Sequence, residues 1–303
     1  MNEELIRDRV IGAMLGLATG DALGAPVEFN RRDEFSYVTD MQSGGYFRLP
    51  AGAWTDDTAM ALCLADSLIH NPELDLEDLM DRFIRWVDFA ENTSTGKCIG
   101  LGQNTFFILG NYRRTKALVA PPNKGKSDGN GSIMRIAPIP CLYWQYPEIA
   151  RQLAIKQSYA THASVLAASA CDFLSLILCD LIRGVSFEEA LSLAGKYEFA
   201  PDIRGIASGN WADKKIDEIS SSGFVVHTLE AACWCVWHTS SFEDALIKAV
   251  NLGEDADTVA AVTGQIAGAL YGKNAIPLRW LDVLLHREKI ENVAGALIRI
   301  NEN

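Results

Sequence analysis

The chain is short of positive charge. Its 27 lysines and arginines stand against 39 aspartates and glutamates, for a net charge of −12. That balance excludes a broad electrostatic footprint for nucleic acid or an anionic membrane. It leaves room for a phosphate-bearing small ligand, because bound cations reverse the sign of a local field. A charge-free membrane span is also missing. The longest apolar stretch, Val165–Ile182, contains Asp172 and Asp180 and reads as a buried helix. The opening MNEELIRDRV has neither the basic n-region nor the apolar h-region of a signal peptide. Strand signals are scarce, with residues 36–41 and 224–226 as the candidates. No fixed-period repeat is present, which excludes a solenoid. The seven cysteines (Cys63, Cys98, Cys141, Cys171, Cys179, Cys233 and Cys235) are scattered and odd in number. They predict reduced, buried thiols in a cytoplasmic protein, not a disulfide framework. Cys233 and Cys235 sit two apart in helical text, so they face different ways and predict packing, not metal binding.

What remains is an ordinary globular composition, 49% apolar and 22% charged. Helical periodicity predicts helices over residues 5–19, 57–69, 76–90, 148–158, 164–183, 187–196, 228–238, 242–251 and 257–272. Asp75 is a predicted cap. The expected fold is all-α, a compact orthogonal multi-helix bundle in one domain over residues 1–303. Residues 111–131 and 201–223 read as loops, the first bordering a site. No obvious exposed apolar patch is legible, so a monomer is expected.

Six glycines carry a packing message. Gly12, Gly16 and Gly20 recur every four residues and line one helix face; Gly264, Gly268 and Gly272 repeat the pattern. An interior glycine costs about 1 kcal/mol relative to alanine. Close backbone approach between the two helices would offset that cost. Asp21 would then end one helix beside Asp255 and Asp257 at the start of the other.

Two acidic clusters hold the chemistry: Trp54-Thr55-Asp56-Asp57-Thr58 and Glu254-Asp255-Ala256-Asp257-Thr258. Each sets paired carboxylates beside a threonine hydroxyl, ahead of an alanine-rich helix. Taken alone, either fits a helix N-cap. Together they form the hard-oxygen ligand set of divalent cations such as Mg²⁺, Mn²⁺ or Ca²⁺. If the fold joins them, their mutual repulsion calls for cations between them.

Four further patches stand out. The stretch 20–28 ends on Glu28, on a path constrained by Gly24 and Pro26. The stretch 128–135 (DGNGSIMR) offers backbone N–H groups that suit a phosphate, although a plain turn fits as well. His162 precedes a helix and also fits a cap or core role. Phe224 follows Gly223 at a loop edge, where it could stack on a base or simply pack.

GDALGAPVE, WTDDTAM, DGNGSIMR, the Thr161-His162 pair and NLGEDADTVAAVTGQIAGALYG occur here in that order. This pattern resembles the ADP-ribosylglycohydrolase family, over residues 10–272. The resemblance implies an all-α fold with two Mg²⁺ or Mn²⁺ ions, held by Thr55, Asp56, Asp57, Asp255, Asp257 and Thr258. It implies a catalytic role for Glu28, with Asp56 and Asp257 as the other candidates. It places Asn130, Gly131, Ser132 and His162 at the diphosphate and ribose, with Met134 nearby. Gly223 and Phe224 fall at the adenine, Phe224 standing where many bacterial relatives carry a stacking tyrosine. Gly100 and Gly102, in the loop 96–105, fall where some arginine-directed members carry an aspartate near the scissile bond. Glu254 stands where several members have glycine or aspartate.

The implied activity is metal-dependent hydrolysis at the anomeric carbon of ADP-ribose, through an oxocarbenium-like transition state. The implied partner is an ADP-ribosylated protein, arginine-linked as the leading expectation, or an ADP-ribosyl small molecule. No membrane or nucleic-acid partner is expected. A two-metal phosphohydrolase and a non-catalytic nucleotide binder are the rival readings.

Overall fold

The computed structural model describes residues 3–123 and 126–301. Lys124 and Gly125, part of the predicted loop 111–131, lie outside them.

Two helices set the frame. Glu3–Gly24 is buried on every side from Val10 onward, and Ala256–Tyr271 is buried from Ala256 to Ala269. Helices apolar all round belong inside a protein. These two run antiparallel with their backbones in contact. A Cβ on Gly12 would fall 2.4 Å from the Gly268 carbonyl oxygen, and one on Gly16 would fall 2.1 Å from that of Gly264. One on Gly20 would fall 2.0 Å from that of Ala260. No side chain fits in those gaps, so the predicted glycine faces do meet. Gly272 differs from the other five. It ends its helix at φ 82°, and a Cβ there would strike the Asp8 carboxylate. At the other end of the pair a Cβ on Gly24 would fall 2.4 Å from the Asp257 Cα. The end of the first helix is thereby fixed against the start of the second, as the glycine spacing predicts.

The other helices enclose this pair. Val225–Trp237 and Phe242–Val250 pack on Ala256–Tyr271, and Arg287–Asn301 packs on Glu3–Gly24. Asp75 caps Leu76–Phe89 by accepting from the Glu77 N–H at 2.9 Å. Ser164 caps Val165–Ile182 by accepting from the Leu166 and Ala167 N–H groups. By length and composition two segments, Glu3–Val27 and Val165–Ile182, could cross a membrane, but both are mostly buried in this core.

The strand expectations fail. Among the described residues there is no strand. Residues 36–41 form no regular structure, and their partner is a side chain. Asn251 Oδ1 accepts from the Val38 N–H, and its Nδ2 donates to the Val38 carbonyl, both at 2.9 Å. At residues 224–226 a single bridge joins Phe224 to Gly129, and Val225 already begins a helix. The loop predicted over 111–131 starts inside the helix Gln103–Thr115. Its buried face is Thr105, Ile108, Leu109 and Tyr112, a stripe that Asn111, Arg113 and Arg114 obscure in the sequence. The loop predicted over 201–223 contains the short helix Pro201–Ala207. Pro138–Tyr143, Leu278–Leu281 and Arg287–Asn301 are further helices without a counterpart in the sequence reading.

Candidate active site

The two acidic clusters start the helices Asp56–His70 and Ala256–Tyr271. Neither works as a cap. Thr55 and Asp255 occupy the N-cap positions, and neither side chain makes a capping hydrogen bond. Asp21 does that work for Asp56–His70 from the neighbouring helix. Its Oδ1 accepts from Thr55 N–H (2.8 Å) and Thr55 Oγ1 (2.9 Å), its Oδ2 from Thr58 N–H (3.0 Å) and Thr58 Oγ1 (2.6 Å). With its hydrogen given to Asp21, the Thr55 hydroxyl keeps a lone pair for a cation. Of the cluster carboxylates only Asp257 meets a first-turn N–H, its Oδ1 accepting from Thr258 N–H at 2.8 Å, so most of their oxygens are left for something other than capping.

They converge. One oxygen each from Asp21, Asp57 and Asp257 lies within 4.8 Å of the others, and so do oxygens of Glu28, Asp255 and Asp257. Asp257 belongs to both groups. Thr258 Oγ1 donates to Asp57 Oδ2 at 3.5 Å, linking the clusters. Glu28 Oε2 and Asp57 Oδ1 are buried with no hydrogen-bond partner. No ion pair among the described residues uses Asp21, Glu28, Asp56, Asp57, Asp255 or Asp257.

Without ions, this crowding holds protons on. Burial raises Asp21 to about 6. Burial, then the Asp255 charge, raises Glu28 to about 8. Burial and neighbouring carboxylates push Asp56, Asp57 and Asp257 well above the usual range, and burial raises Asp255 as well. Orphaned buried oxygens in an all-carboxylate cluster are what a hard divalent cation satisfies. The residues present fit a metal site.

The clusters floor a cleft of about 900 Å³. Glu28, Asp56, Asp255, Asp257 and Thr258 line it, as do Gly100, Gly102, Asn130, Gly131, Met134, His162, Gly223 and Phe224. Thr55 and Asp57 lie just behind that surface. Ser132 departs from expectation. The whole residue is buried and does not line the cleft, and its hydroxyl accepts from Ser158 Oγ at 2.9 Å, so Ser132 faces the interior. Asn130 Nδ2 donates to Asp255 Oδ2 at 2.7 Å, tying the 128–135 turn to the second cluster. Gly100 sits at φ 83°, and a Cβ there would land 2.1 Å from Asp56 Oδ1. Phe224 stands edge-to-face on His227 with its centroid 5.0 Å away.

The sequence reading left out the rim. Phe29, Tyr46 and Phe47 form an edge-to-face trio, with centroids 5.1–6.2 Å apart, at the mouth beside Glu28. Phe29 is 62% exposed and Tyr46 74%, so this packing does not fill a core. Phe29 adopts φ 69°, a genuine outlier for a bulky residue. A two-bond clasp holds it. Phe29 N–H donates to the Glu254 carbonyl at 2.7 Å, and Glu254 N–H donates to the Asn30 carbonyl at 2.6 Å. Glu254 itself is left-handed, at φ 57°. Glycine or aspartate at that position would relieve the strain.

Comparison with known proteins agrees with this geometry. The sequence pattern of the ADP-ribosylglycohydrolase family matches residues 2–303. The chain is 44% identical to the ADP-ribosylarginine hydrolase Tri1 of Serratia proteamaculans, over 96% of this chain and 79% of the relative. It is 32% identical to the ADP-ribosyl-[dinitrogen reductase] glycohydrolase of Rhodospirillum rubrum, over 97% of each. A solved ADP-ribosylglycohydrolase-related protein complex superposes with a TM-score of 0.87 at 40% identity, covering 98% of this chain and 99% of that one. With the whole chain matched, the acidic clusters intact and the all-helical frame shared, the protein belongs to the ADP-ribosylglycohydrolase family and is an enzyme of that kind.

Proposed function

We propose that the chain removes ADP-ribose from arginine side chains of modified proteins, by hydrolysing the bond at the anomeric carbon. Two relatives, 44% and 39% identical, are named ADP-ribosylarginine hydrolases. The observation that carries the reading to this chain is the mouth of the cleft. Exposed aromatic faces stand beside a carboxylate floor, the surroundings that a planar cationic guanidinium favours.

Two Mg²⁺ or Mn²⁺ ions fit the donor set. Asp21, Asp57, Asp257 and Thr55 would hold one, and Glu28, Asp255, Asp257 and Thr258 the other, with Asp56 at the cleft wall. Bound there, they supply Lewis acidity toward ribose hydroxyls and a water. The chain's own residues do the rest. Glu28, facing the cleft, takes a proton from the attacking water and returns one to the leaving guanidine nitrogen. The turn 129–131 faces the diphosphate, with the Gly131 N–H unused by any hydrogen bond among the described residues. Phe224 offers its ring to the adenine; phenylalanine keeps the π face of the tyrosine found in relatives and loses the hydroxyl.

The test is release of ADP-ribose from arginine-, serine- and acid-linked ADP-ribosyl peptides, with Mg²⁺ and with EDTA. Metal-dependent release of intact ADP-ribose from the arginine linkage is expected. Release of AMP or phosphate would instead assign a phosphohydrolase and overturn the proposal.

A further inference from the structure

Arg135 is a fully buried cation with no ion-pair partner among the described residues; the Asp56 carboxylate acts on it only from beyond ion-pair distance. Its exposure is 0%, and no ion pair among the described residues includes it. Its nitrogens are all engaged, but only by neutral acceptors. Nε donates to Gln157 Oε1 (2.8 Å) and Nη1 to the Gly131 carbonyl (2.8 Å). Nη2 donates to the Gln157 carbonyl (3.1 Å) and to Thr161 Oγ1 (2.8 Å). The guanidinium lies over the Phe83 ring, 5.0 Å from its centroid. Burial draws its pKa down only to about 10, so it stays charged at neutral pH. An unpaired buried charge is costly, and apolar packing would serve a merely structural position better.

Two of its bonds lead to the cleft. The first runs to the turn itself. Arg135 Nη1 holds the Gly131 carbonyl, and Gly131 lines the cleft. Among the described residues no hydrogen bond uses the N–H of Gly131. The second runs through Thr161, whose Oγ1 accepts from Arg135 and lies 2.8 Å from His162 Nδ1. That ring nitrogen is the one acceptor within reach of the hydroxyl's own hydrogen among the described residues. His162 Nδ1 is then an acceptor, and the ring proton sits on Nε2. Nε2 faces the glycine turn: a Cβ on Gly131 would fall 3.2 Å from it and one on Gly129 3.6 Å. Burial and the nearby Arg135 charge push His162 down to about 3, so the ring is a neutral donor.

We infer that Arg135 is a positioning residue for the substrate's diphosphate. It holds the Gly131 turn and, through Thr161, the His162 Nε2–H at the cleft, and its charge is answered by the bound anion. The inference rests on the ADP-ribosyl reading of this cleft.

Three proteins test it: wild type, Arg135→Met and Arg135→Lys. Each is titrated with ADP-ribose and with adenosine, which lacks the diphosphate, and ¹⁵N NMR reports the His162 tautomer. Arg135→Met should weaken ADP-ribose binding about 10–100-fold while adenosine changes by less than about twofold. Arg135→Lys should recover part of the loss, because it keeps the charge and loses the fork. Equal losses for both ligands, or unchanged ADP-ribose binding in a folded Arg135→Met, would overturn the inference. If Arg135→Met does not fold, Thr161→Val with the wild-type NMR spectrum decides. An Nδ1–H tautomer in wild type, or full ADP-ribose affinity in Thr161→Val, would overturn it as well. Failure of wild-type protein to bind ADP-ribose removes the reading of the cleft itself, and the inference with it.

Discussion

Replacing Gly16 with alanine sets two effects of opposite sign against each other. Helix propensity favours alanine by about 1 kcal/mol at an interior position. Packing opposes it. The new Cβ would lie 2.1 Å from the Gly264 carbonyl oxygen, and reaching the 3.4 Å of an ordinary contact requires about 1.3 Å of separation. The neighbouring atoms are helix backbone, which has no rotamer to change. Parting the helices there also strips contacts at Gly12 and Gly20. Overpacking a close-packed core costs about 1–3 kcal/mol, and a clash with rigid backbone belongs at the upper end, about 3 kcal/mol; less about 1 kcal/mol of propensity, a net loss of about 2 kcal/mol is expected. In a chain of this size that lowers the melting temperature by several degrees. Gly110 is the control. It is exposed in the helix Gln103–Thr115, and a Cβ there meets nothing within 4 Å. Gly110→Ala should gain up to about 1 kcal/mol. Gly16→Ala should also weaken the stabilisation by Mn²⁺, because Asp21 and Asp257 ride on the parted helices. Calorimetric scans of both variants, with and without Mn²⁺, provide the check. A Gly16→Ala protein as stable as Gly110→Ala would refute the reasoning.

Three other outcomes are expected. In ion-free protein the folded pKa values of Asp21 (about 6) and Glu28 (about 8) lie above their unfolded values, so the folded state binds extra protons in that window. Their contribution to stability is full below about pH 4 and is lost as the pH rises toward about 8, so the ion-free melting temperature should fall over that range and divalent ions should restore it most at the upper end; a flat profile would count against the buried cluster. Asp257→Asn should abolish turnover while keeping the fold, and near pH 8 its ion-free form should melt no lower than wild type, because one crowded carboxylate is gone; activity assays and melting curves decide. Cys98 is the one cysteine that is not buried, and its thiol is pushed up to about 11. Ellman's reagent should therefore label about one thiol slowly in native protein and all seven after denaturation.

Features that depend on spacing along one helix were legible in the sequence. The four-residue glycine period predicted the central helix pair, and that pair placed Asp21 beside Asp257, while Asp255 groups with Glu28 and Asp257 instead. The acidic clusters announced a cation site because two of them share the same donor types. What stayed hidden was set by contacts distant in the chain. Residues 36–41 have strand-like composition, but Asn251 supplies their hydrogen bonds. The direction of the Ser132 hydroxyl depends on Ser158, which a motif does not encode. Asp21 as a candidate ligand was missed because its neighbours in sequence are apolar. Its partners, Thr55 and Thr58, lie more than thirty positions away. The rim of Phe29, Tyr46 and Phe47 left no periodic trace because it lies on loops.

The cap that Asp21 places on Asp56–His70 bears on how the site assembles during folding. A helix normally carries its own start signal within one turn, so it can nucleate before the rest of the chain arrives. Here Thr55 gives its hydroxyl away, and the signal comes from another helix. The first turn of Asp56–His70, which holds Asp56 and Asp57, has no independent life as a peptide. Its native cap exists only once the first helix has docked, so the placing of those two carboxylates is coupled to the glycine-lined packing of that helix and not to the helix Asp56–His70 alone.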